Sequence, residues 1–541
     1  MRTNQKKNSD KQRKSVGRGV AAKTGDVAAL IEREPPTFQV LFIPEPELVF
    51  RDGQCAITPK VGINRFGAFG SNLRSDRQIR VGIVGDSAGI QRFSAFLTRG
   101  AKKVVAGWNQ RKDTVYNPVL FPDYPGSSSD VGFCAQFITS RQIQCEIKPD
   151  SFGKALCGDT ANSQIRAVAD LVLAKLELLK QQDPEPDVVA IVLPNAVEEL
   201  LRSEGMASRG VKLTPLQRVA ESLRKEKEET NQDVLLLDFG KDAEVDLGNW
   251  NIHHAIKARA MDMGLTTQIV WESTLDPATP KEDPATTAWN IFTALYYKAN
   301  NVPWKVKDLP SNTCFVGISF YYESPLGGAN LQSSLAQVFS GNGDGLVLKG
   351  RPAVKDKKRD RQPHLKTEDA ELLLRQAIDE YTQAHDDVPP ARVVVHKTSR
   401  YWSEELDGFK RGLGNIQSFD FLTIGPSDVR FLRVGHKPPM RGTAVILGER
   451  HYVLFTTGYI PALHEYPGFR VPRPLEISEH HGQASPETIC RELLMLTKIN
   501  WNSCRIDCAE PITTQFAKRV GMILTEVKGG TPREKKYKFY M

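Results

Sequence analysis

Nowhere in this 541-residue chain is there an apolar run approaching the ~18 residues of a membrane-spanning helix, so no membrane association is expected. The amino terminus is charged and lacks an apolar centre, so no secretory signal is expected. Cysteine is scarce: eight residues, without repeated close pairs, exclude a disulfide-built secreted domain and fit a reducing cytoplasm. Cys504 and Cys508 have the spacing of half a metal site, but no second Cys/His pair follows, and they read as two unrelated thiols. Excess charge is also missing from most of the chain. Of the formal net +8, residues 1–24 carry +7 (eight Lys/Arg against Asp10), which leaves +1 for everything else. Bulk basicity is therefore no argument for nucleic-acid binding by the folded body; only local clustering is. The segment 1–35 has too little apolar material to fold and reads as a basic disordered tail, either touching phosphate or aiding solubility.

What is present is an α/β pattern. "FQVLFIPEPELVF" (38–50) is strand-like, interrupted by Pro44 and Pro46. "IRVGIVGDSAGIQRFSAFL" (79–97) reads as apolar strand, glycine turn and amphipathic helix. "PDVVAIVLPNAVEELL" (186–201) and "DVLLLDFG" (233–240) supply buried strands, and "QIRAVADLVLAKLELL" (164–179) and "TPLQRVAESLRKEKEE" (214–229) supply helices. Strands alternating with helices predict parallel sheets. From about residue 310, "FVGISFYY", "GLVLKG", "ARVVVHK" and "TAVILGERHYVLFTTG" predict a second set of strands. "SPETICRELLML" predicts a helix capped by Ser485 with Pro486 at its first position. Two α/β lobes meeting near 299–312 is the simplest organisation.

Three groups of residues bear on chemistry. The glycines of "VGIVGDSAG" are spaced GxxGxxxG, not GxGxxG, and read as helix–strand packing rather than a dinucleotide site. His253 and Lys257 stand one helical turn apart, Gln268 follows eleven residues after Lys257, and Lys298 closes a helix carrying Trp289, Phe292 and Leu295. Two cations, an imidazole and an amide together suit a terminal phosphate, because cations neutralise it and the neutral groups add directed hydrogen bonds. The same residues also suit a solvated helix face. "KGRPAVKDKKRDR" (349–361), with seven basic and two acidic residues, is either a phosphate contact or a solvated loop.

From about residue 39 onward the chain resembles short prokaryotic Argonautes, which hold only the MID and PIWI lobes. The resemblance rests on ordered blocks: "EPELVF", "IRVGIVG", "DVVAIVLP", "YKANNVPW" at the hinge, "FVGISFY", "LKTEDAELLLRQAIDEY", "RVVVHKTS" and "LFTTGY". The last block, "LTKINWNSCRIDCAEPITTQFAKRVGMIL", is the most specific. The resemblance implies an α/β fold of two lobes without a PAZ domain: a strand and linker segment at 36–75, a Rossmann-like MID domain at 76–305 and an RNase H-like PIWI domain at 306–541.

It also implies site residues. His253, Lys257, Gln268 and Lys298 match the family's anchor for the guide's 5′ phosphate; a lysine that some relatives carry one turn earlier is Ala294 here. The family's terminal carboxylate, here Met541, would join Gln268 in holding Mg²⁺ at that phosphate. A PIWI lobe that cuts positions two metal ions between acidic side chains. Ser319, Thr398 and Lys518 stand where the resemblance places those acids, and two hydroxyls and an ammonium do not replace metal ligands. The implied function is guide-dependent recognition of single-stranded DNA through a short 5′-phosphorylated RNA, without cleavage and with no enzymatic activity of the chain's own. The partner would be a separate APAZ-domain effector (TIR-type, sirtuin-type or nuclease), acting in defence against plasmids or phage. The alternative is an active guide-directed endonuclease using displaced carboxylates such as Glu323 or Asp407.

Overall fold

The computed structural model describes residues 38–71, 77–107, 117–158, 161–203, 252–276, 282–322, 331–339, 345–348, 350–356, 358–431, 435, 437–468, 471–506, 508–524 and 536–541. The basic tail, the helix expected at 214–229, the strand expected at 233–240 and Glu323 lie outside them. Among the described residues no helix is long and apolar enough to cross a membrane.

The first strand, β1 (Gln39–Phe42), ends before Pro44 and joins the edge of a sheet whose other members come far later in the chain. The next strands build a separate parallel sheet: β2 (Arg77–Gly85), β3 (Ala135–Ile138), β4 (Gln144–Glu146), β5 (Val188–Leu193) and β6 (Thr267–Trp271). Its order is β3-β2-β5-β6, with β4 also pairing β2. β5 is "VVAIVL" and buried along its whole length, as a central parallel strand covered on both faces must be. Alternation divides it: Val189, Ile191 and Leu193 enter a core with the helix α2 described below, while Val188, Ala190 and Val192 enter the larger core on the other face.

Helix α1 (Ser87–Gly100) follows β2 directly and is capped by Asp86, whose carboxylate accepts from the Gly89 amide at 2.7 Å. A Cβ at Gly85 would sit 2.9 Å from the Val192 carbonyl oxygen, so the glycine motif serves close packing, as its spacing indicated. Helix α2 (Ala161–Lys180) covers one face of this sheet. Helices α3 (Ile252–Asp262) and α4 (Pro284–Lys298) flank β6 in the chain.

The second sheet has nine strands. Besides β1 these are β7 (Thr313–Tyr322), β8 (Leu331–Phe339), β9 (Gly345–Val347), β10 (Arg392–Lys397), β11 (Ser418–Pro426), β12 (Thr443–Gly448), β13 (His451–Leu454) and β14 (Leu475–Gly482). The order is β1-β12-β13-β14-β11-β10-β7-β8-β9, with β7, β10 and β11 parallel at its centre. One face is covered by α5 (Thr367–Gln383) and α6 (Ser403–Gly412), against which Val316, Ile318, Val393 and Val395 pack. The other face meets α7 (Pro486–Leu496) and α8 (Ile512–Leu524), with Phe315, Val394 and Leu422 in that core. The Ser485 side chain accepts from the Thr488 amide at 3.2 Å, the cap expected for α7.

The two sheets share one apolar core, which holds Val81 of β2 and Phe292 of α4 together with Phe315 and Val394 of the second sheet. Trp304 of the hinge "YKANNVPW" is in this core, and Tyr297, Ala299 and Val302 pack against it. Trp304 donates its indole N–H to the Lys498 carbonyl at 2.9 Å, and Trp501 donates to the Trp304 carbonyl at 3.1 Å. From Val40 onward the chain forms one compact unit.

Candidate functional site

α3 has apolar residues at 252, 256 and 260, all buried toward α2, which fixes the helix's rotation. His253 and Lys257 therefore share the adjoining face. α4 starts at Pro284 behind the Asp283 cap, buries Trp289, Phe292 and Leu295, and ends on Lys298, a cation at the helix C-terminus where the helix dipole favours it. Gln268 is on β6, an edge strand of the first sheet, opposite Ala190 of β5.

These elements bring the predicted residues together. Lys298 is 1% exposed, and its ammonium donates to the Gln268 amide oxygen at 2.5 Å. Lys257 is 7% exposed and donates to the Thr267 carbonyl at 3.1 Å and to the main-chain oxygen of Met541. Thr267 and Gln268 are neighbours, so the two ammonium groups flank one short stretch of β6. His253 is half-buried, its ring 6.0 Å from that of Trp271 and within the field of both lysines. Met541 reaches the site because the segment before it is packed in aromatic contacts. Tyr537 lies 3.7 Å from the Phe516 ring of α8, and Tyr540 lies 5.9 Å from the same ring.

The cations of the site act on one another. Burial first, and then the charge of Arg519, push the Lys257 ammonium down to about 7. Lys298 is driven well below its ordinary value by burial and by Lys257 and Arg519. Burial and the same cations lower His253 to about 3, and burial and Arg519 lower His254 to about 4. A bound dianion reverses the sign of the local field and stabilises the charged lysines. His254 and Arg519 were not singled out in the sequence. Arg519 lies on α8, far from α3 in the chain, and only the packing of α8 on α3 makes it a neighbour. Ala294, where some relatives carry lysine, is 2% exposed.

The second group lies on or next to β7, β10 and α8. Gly317 of β7 lies against α8: a Cβ there would be 2.2 Å from the Thr513 carbonyl oxygen. His396 of β10 bonds Thr513 Oγ1 at 2.8 Å on the same face. Two residues on in β7, strand alternation places Ser319 on that α8 face too, while Thr398 lies just past the end of β10, its amide donating to the Ile318 carbonyl at 3.2 Å. Ser319 is 5% exposed. On α8, Lys518 holds both oxygens of Glu510 at 2.8 Å, a carboxylate that sequence reasoning passed over. Glu405 pairs with Lys397 at 2.8 Å on the opposite face, beneath α6, and Asp407 is exposed on α6. Among the described residues no group of three or more His, Cys, Asp or Glu could hold a metal ion.

The remaining candidates have local partners. In 349–361, Arg359 is paired with both oxygens of Glu404 (3.1 and 3.0 Å) and lies 4.3 Å from the Trp402 ring, which ties part of that basic run to α6. Cys504 bonds Thr293 Oγ1 at 2.8 Å while Cys508 lies 3.9 Å from the Asn500 amide, so each thiol has its own surroundings.

No family model and no curated protein matches the sequence. Solved structures do match. Clostridium butyricum Argonaute, bound to a guide DNA and a 19-mer target DNA, superposes with a TM-score of 0.57 at 15% identity, covering 92% of this chain and 54% of that one. Drosophila Piwi gives 0.51 at 15% identity, over 93% and 56%. Marinitoga piezophila Argonaute, in complex with a 5′ OH guide RNA, gives 0.50 at 12% identity, over 90% and 59%. The fold is that of the Argonaute MID and PIWI lobes, and the chain spans just over half the length of these proteins.

Proposed function

We propose that this protein binds the 5′-phosphorylated end of a short guide, with RNA as the expected guide, and uses it to recognise complementary single-stranded DNA without cutting it. The observation that carries this reading is the buried convergence of Lys257, Lys298, Gln268 and His253 from three separate elements. Buried lysines beside one another are costly unless an anion is the intended occupant. A terminal phosphate meets that need, and an Argonaute-like fold gives the strand beyond it a place to run. Base pairing then reads the target while the protein holds backbone and shape, as in other RNA-guided systems.

Magnesium belongs to the proposal. The Gln268 amide oxygen and the Met541 main-chain oxygen both already accept from ammonium groups, so they are oxygens placed to host positive charge. These two would hold Mg²⁺, which supplies further neutralisation of the phosphate when bound. Lack of cutting is supported by Ser319, Thr398 and Lys518 at the family's acid positions, and by Glu510 being neutralised by Lys518. A chain of this kind would act through a separate APAZ-domain effector of TIR, sirtuin or nuclease type, in cytoplasmic defence against plasmids or phage.

Binding of 5′-phosphorylated and 5′-hydroxyl oligonucleotides tests the core of the reading. Charge-assisted hydrogen bonds contribute about 1.5–3 kcal/mol each, so Lys257→Ala with Lys298→Ala should weaken phosphorylated guides by roughly 100-fold or more. Hydroxyl guides should change little. Equal loss for both would remove the lysines from the site. Sequence-directed cleavage of a guide-complementary target by the pure chain, with Mg²⁺ or Mn²⁺, would instead establish the nuclease alternative.

A further inference from the structure

The basic run 349–361 has a built shape that a solvated loop does not need. Within it and just beyond, Ala353–Lys355 pairs with Pro363–Leu365 as a two-stranded hairpin, Lys355 opposite Pro363. The acids of the run are turned to internal use. Asp356 accepts from the Lys358 amide at 2.8 Å, and Asp360 accepts from the Gln362 amide and the Trp402 indole, both at 2.9 Å. The His364 ring, fully buried, lies between Asp360 (2.8 Å) and Glu405 (3.2 Å). Glu405 also takes the ammonium of Lys397, the last residue of β10. Arg361 has a φ of 62°, a left-handed conformation that an arginine keeps only where its surroundings impose it. The turn is therefore fixed, and Arg400 is tied to it: its amide donates to the Gln362 side-chain oxygen at 2.8 Å.

The cations face the other way. Lys355, Lys358, Arg361 and Arg400 are all exposed, and among the described residues none of them is in an ion pair. Bulk charge does not explain the cluster, because the chain beyond residue 24 carries only +1. Its place in the fold is specific. Lys397 stands opposite Ile318 of β7, so the turn sits at the same end of the central strands as Ser319 and Thr398. Four cations on a fixed turn suit a row of phosphodiesters, which is read by charge and without regard to base. We propose that Lys355, Lys358, Arg361 and Arg400 form a second nucleic-acid contact, separate from the end pocket, that holds the sugar-phosphate backbone of the guide-paired target strand. This rests on the reading that the protein carries a guide, and not on how the 5′ end of that guide is held.

The test uses the full chain loaded with a 5′-phosphorylated guide, unaltered or carrying Lys355→Gln, Lys358→Gln and Arg361→Gln together, and a complementary DNA strand. The readout is target affinity over a range of salt concentrations. Each backbone phosphate neutralised adds roughly one unit to the slope of log affinity against log salt, so the triple variant is expected to lose about two to three units. The loss should be the same for every target sequence. Lys355→Arg with Lys358→Arg keeps both charges and should keep the slope. The preference for phosphorylated over hydroxyl guides should not move in any of these variants, since the end pocket is untouched. An unchanged slope in the triple variant would overturn the proposal and leave the end pocket standing. So would an equal loss per charge in Arg99→Gln with Lys102→Gln, two exposed cations at the end of α1, because the effect would then be one of net charge. If the unaltered protein takes up no guide, the reading of the end pocket falls, and the second contact with it.

Discussion

Among the described residues, three kinds of buried ionisable side chain are told apart by their surroundings. Lys397 and Lys498 each meet a carboxylate, Glu405 and Glu45 respectively, at 2.8 Å. The charges acting on Lys257 and Lys298 are positive. The first kind is compensated by a side-chain carboxylate; in the second, Lys257 meets the main-chain oxygen of Met541 and Lys298 the neutral amide oxygen of Gln268. His396 is a third case, a buried neutral imidazole. It is 1% exposed, and burial first, then the charge of Arg392, pushes it from 6.5 to about 3. Below pH 6.5 the unfolded chain takes up this proton while the folded chain does not, so the stability it contributes is complete above about 6.5 and is lost as pH falls toward 3. The slope is about 1.4 kcal/mol per pH unit for one proton. His396→Gln keeps a partner for Thr513 and removes the titration. Its urea midpoint should fall less steeply between pH 6.5 and 4 than that of the unaltered protein. An identical slope would show that His396 is protonated in the folded state.

Among the elements, α8 borders both candidate regions: Thr513 touches β7 and β10, Lys518 pairs with Glu510, Phe516 meets Tyr537 and Tyr540 edge-on, and the helix packs on α3. Its seat on β7 depends on Gly317. A methyl there would meet the Thr513 backbone, which has no flexible end to swing aside. Gly317→Ala is expected to destabilise the protein by about 1–3 kcal/mol, read as a lower denaturant midpoint. Because α8 carries Arg519, the same substitution should also weaken 5′-phosphorylated guides in a binding titration. A variant with unaltered stability would mean that helix and strand separate easily at this point.

For the whole molecule, the central question is what holds the early segment to the late one. Glu45, which follows β1, accepts from Arg441 and Lys498, both at 2.8 Å, and Lys498 also donates to the carbonyls of Pro46 and Ile57. Arg441 and Lys498 are nearly inaccessible. Glu45→Gln leaves both cations in the interior without their counter-ion, and breaking such a buried group costs about 3–5 kcal/mol. A large drop in thermal midpoint is expected, and a shift of under a degree or two would show that water reaches the group. The same junction explains why "LTKINWN" is so densely functional as sequence: Lys498 binds the early segment, and Trp501 bonds the hinge tryptophan.

The α/β character, the strand at 79–85, the capped helices and the close-packing glycines were legible in the sequence, because each is set by local pattern: apolar runs, N-caps and turn residues. The candidate anion residues were legible only in part. His253 and Lys257 share a helix face, and periodicity alone puts them together. That Gln268, Lys298 and Met541 close on the same point depends on how three elements pack. Arg519 and Glu510 left no readable mark, since a charge on a helix is solvated or buried according to what lies opposite it. Local chemistry wrote the elements into the chain; which charges face one another was decided by long-range packing, which brings α3, α4 and α8 together across hundreds of residues.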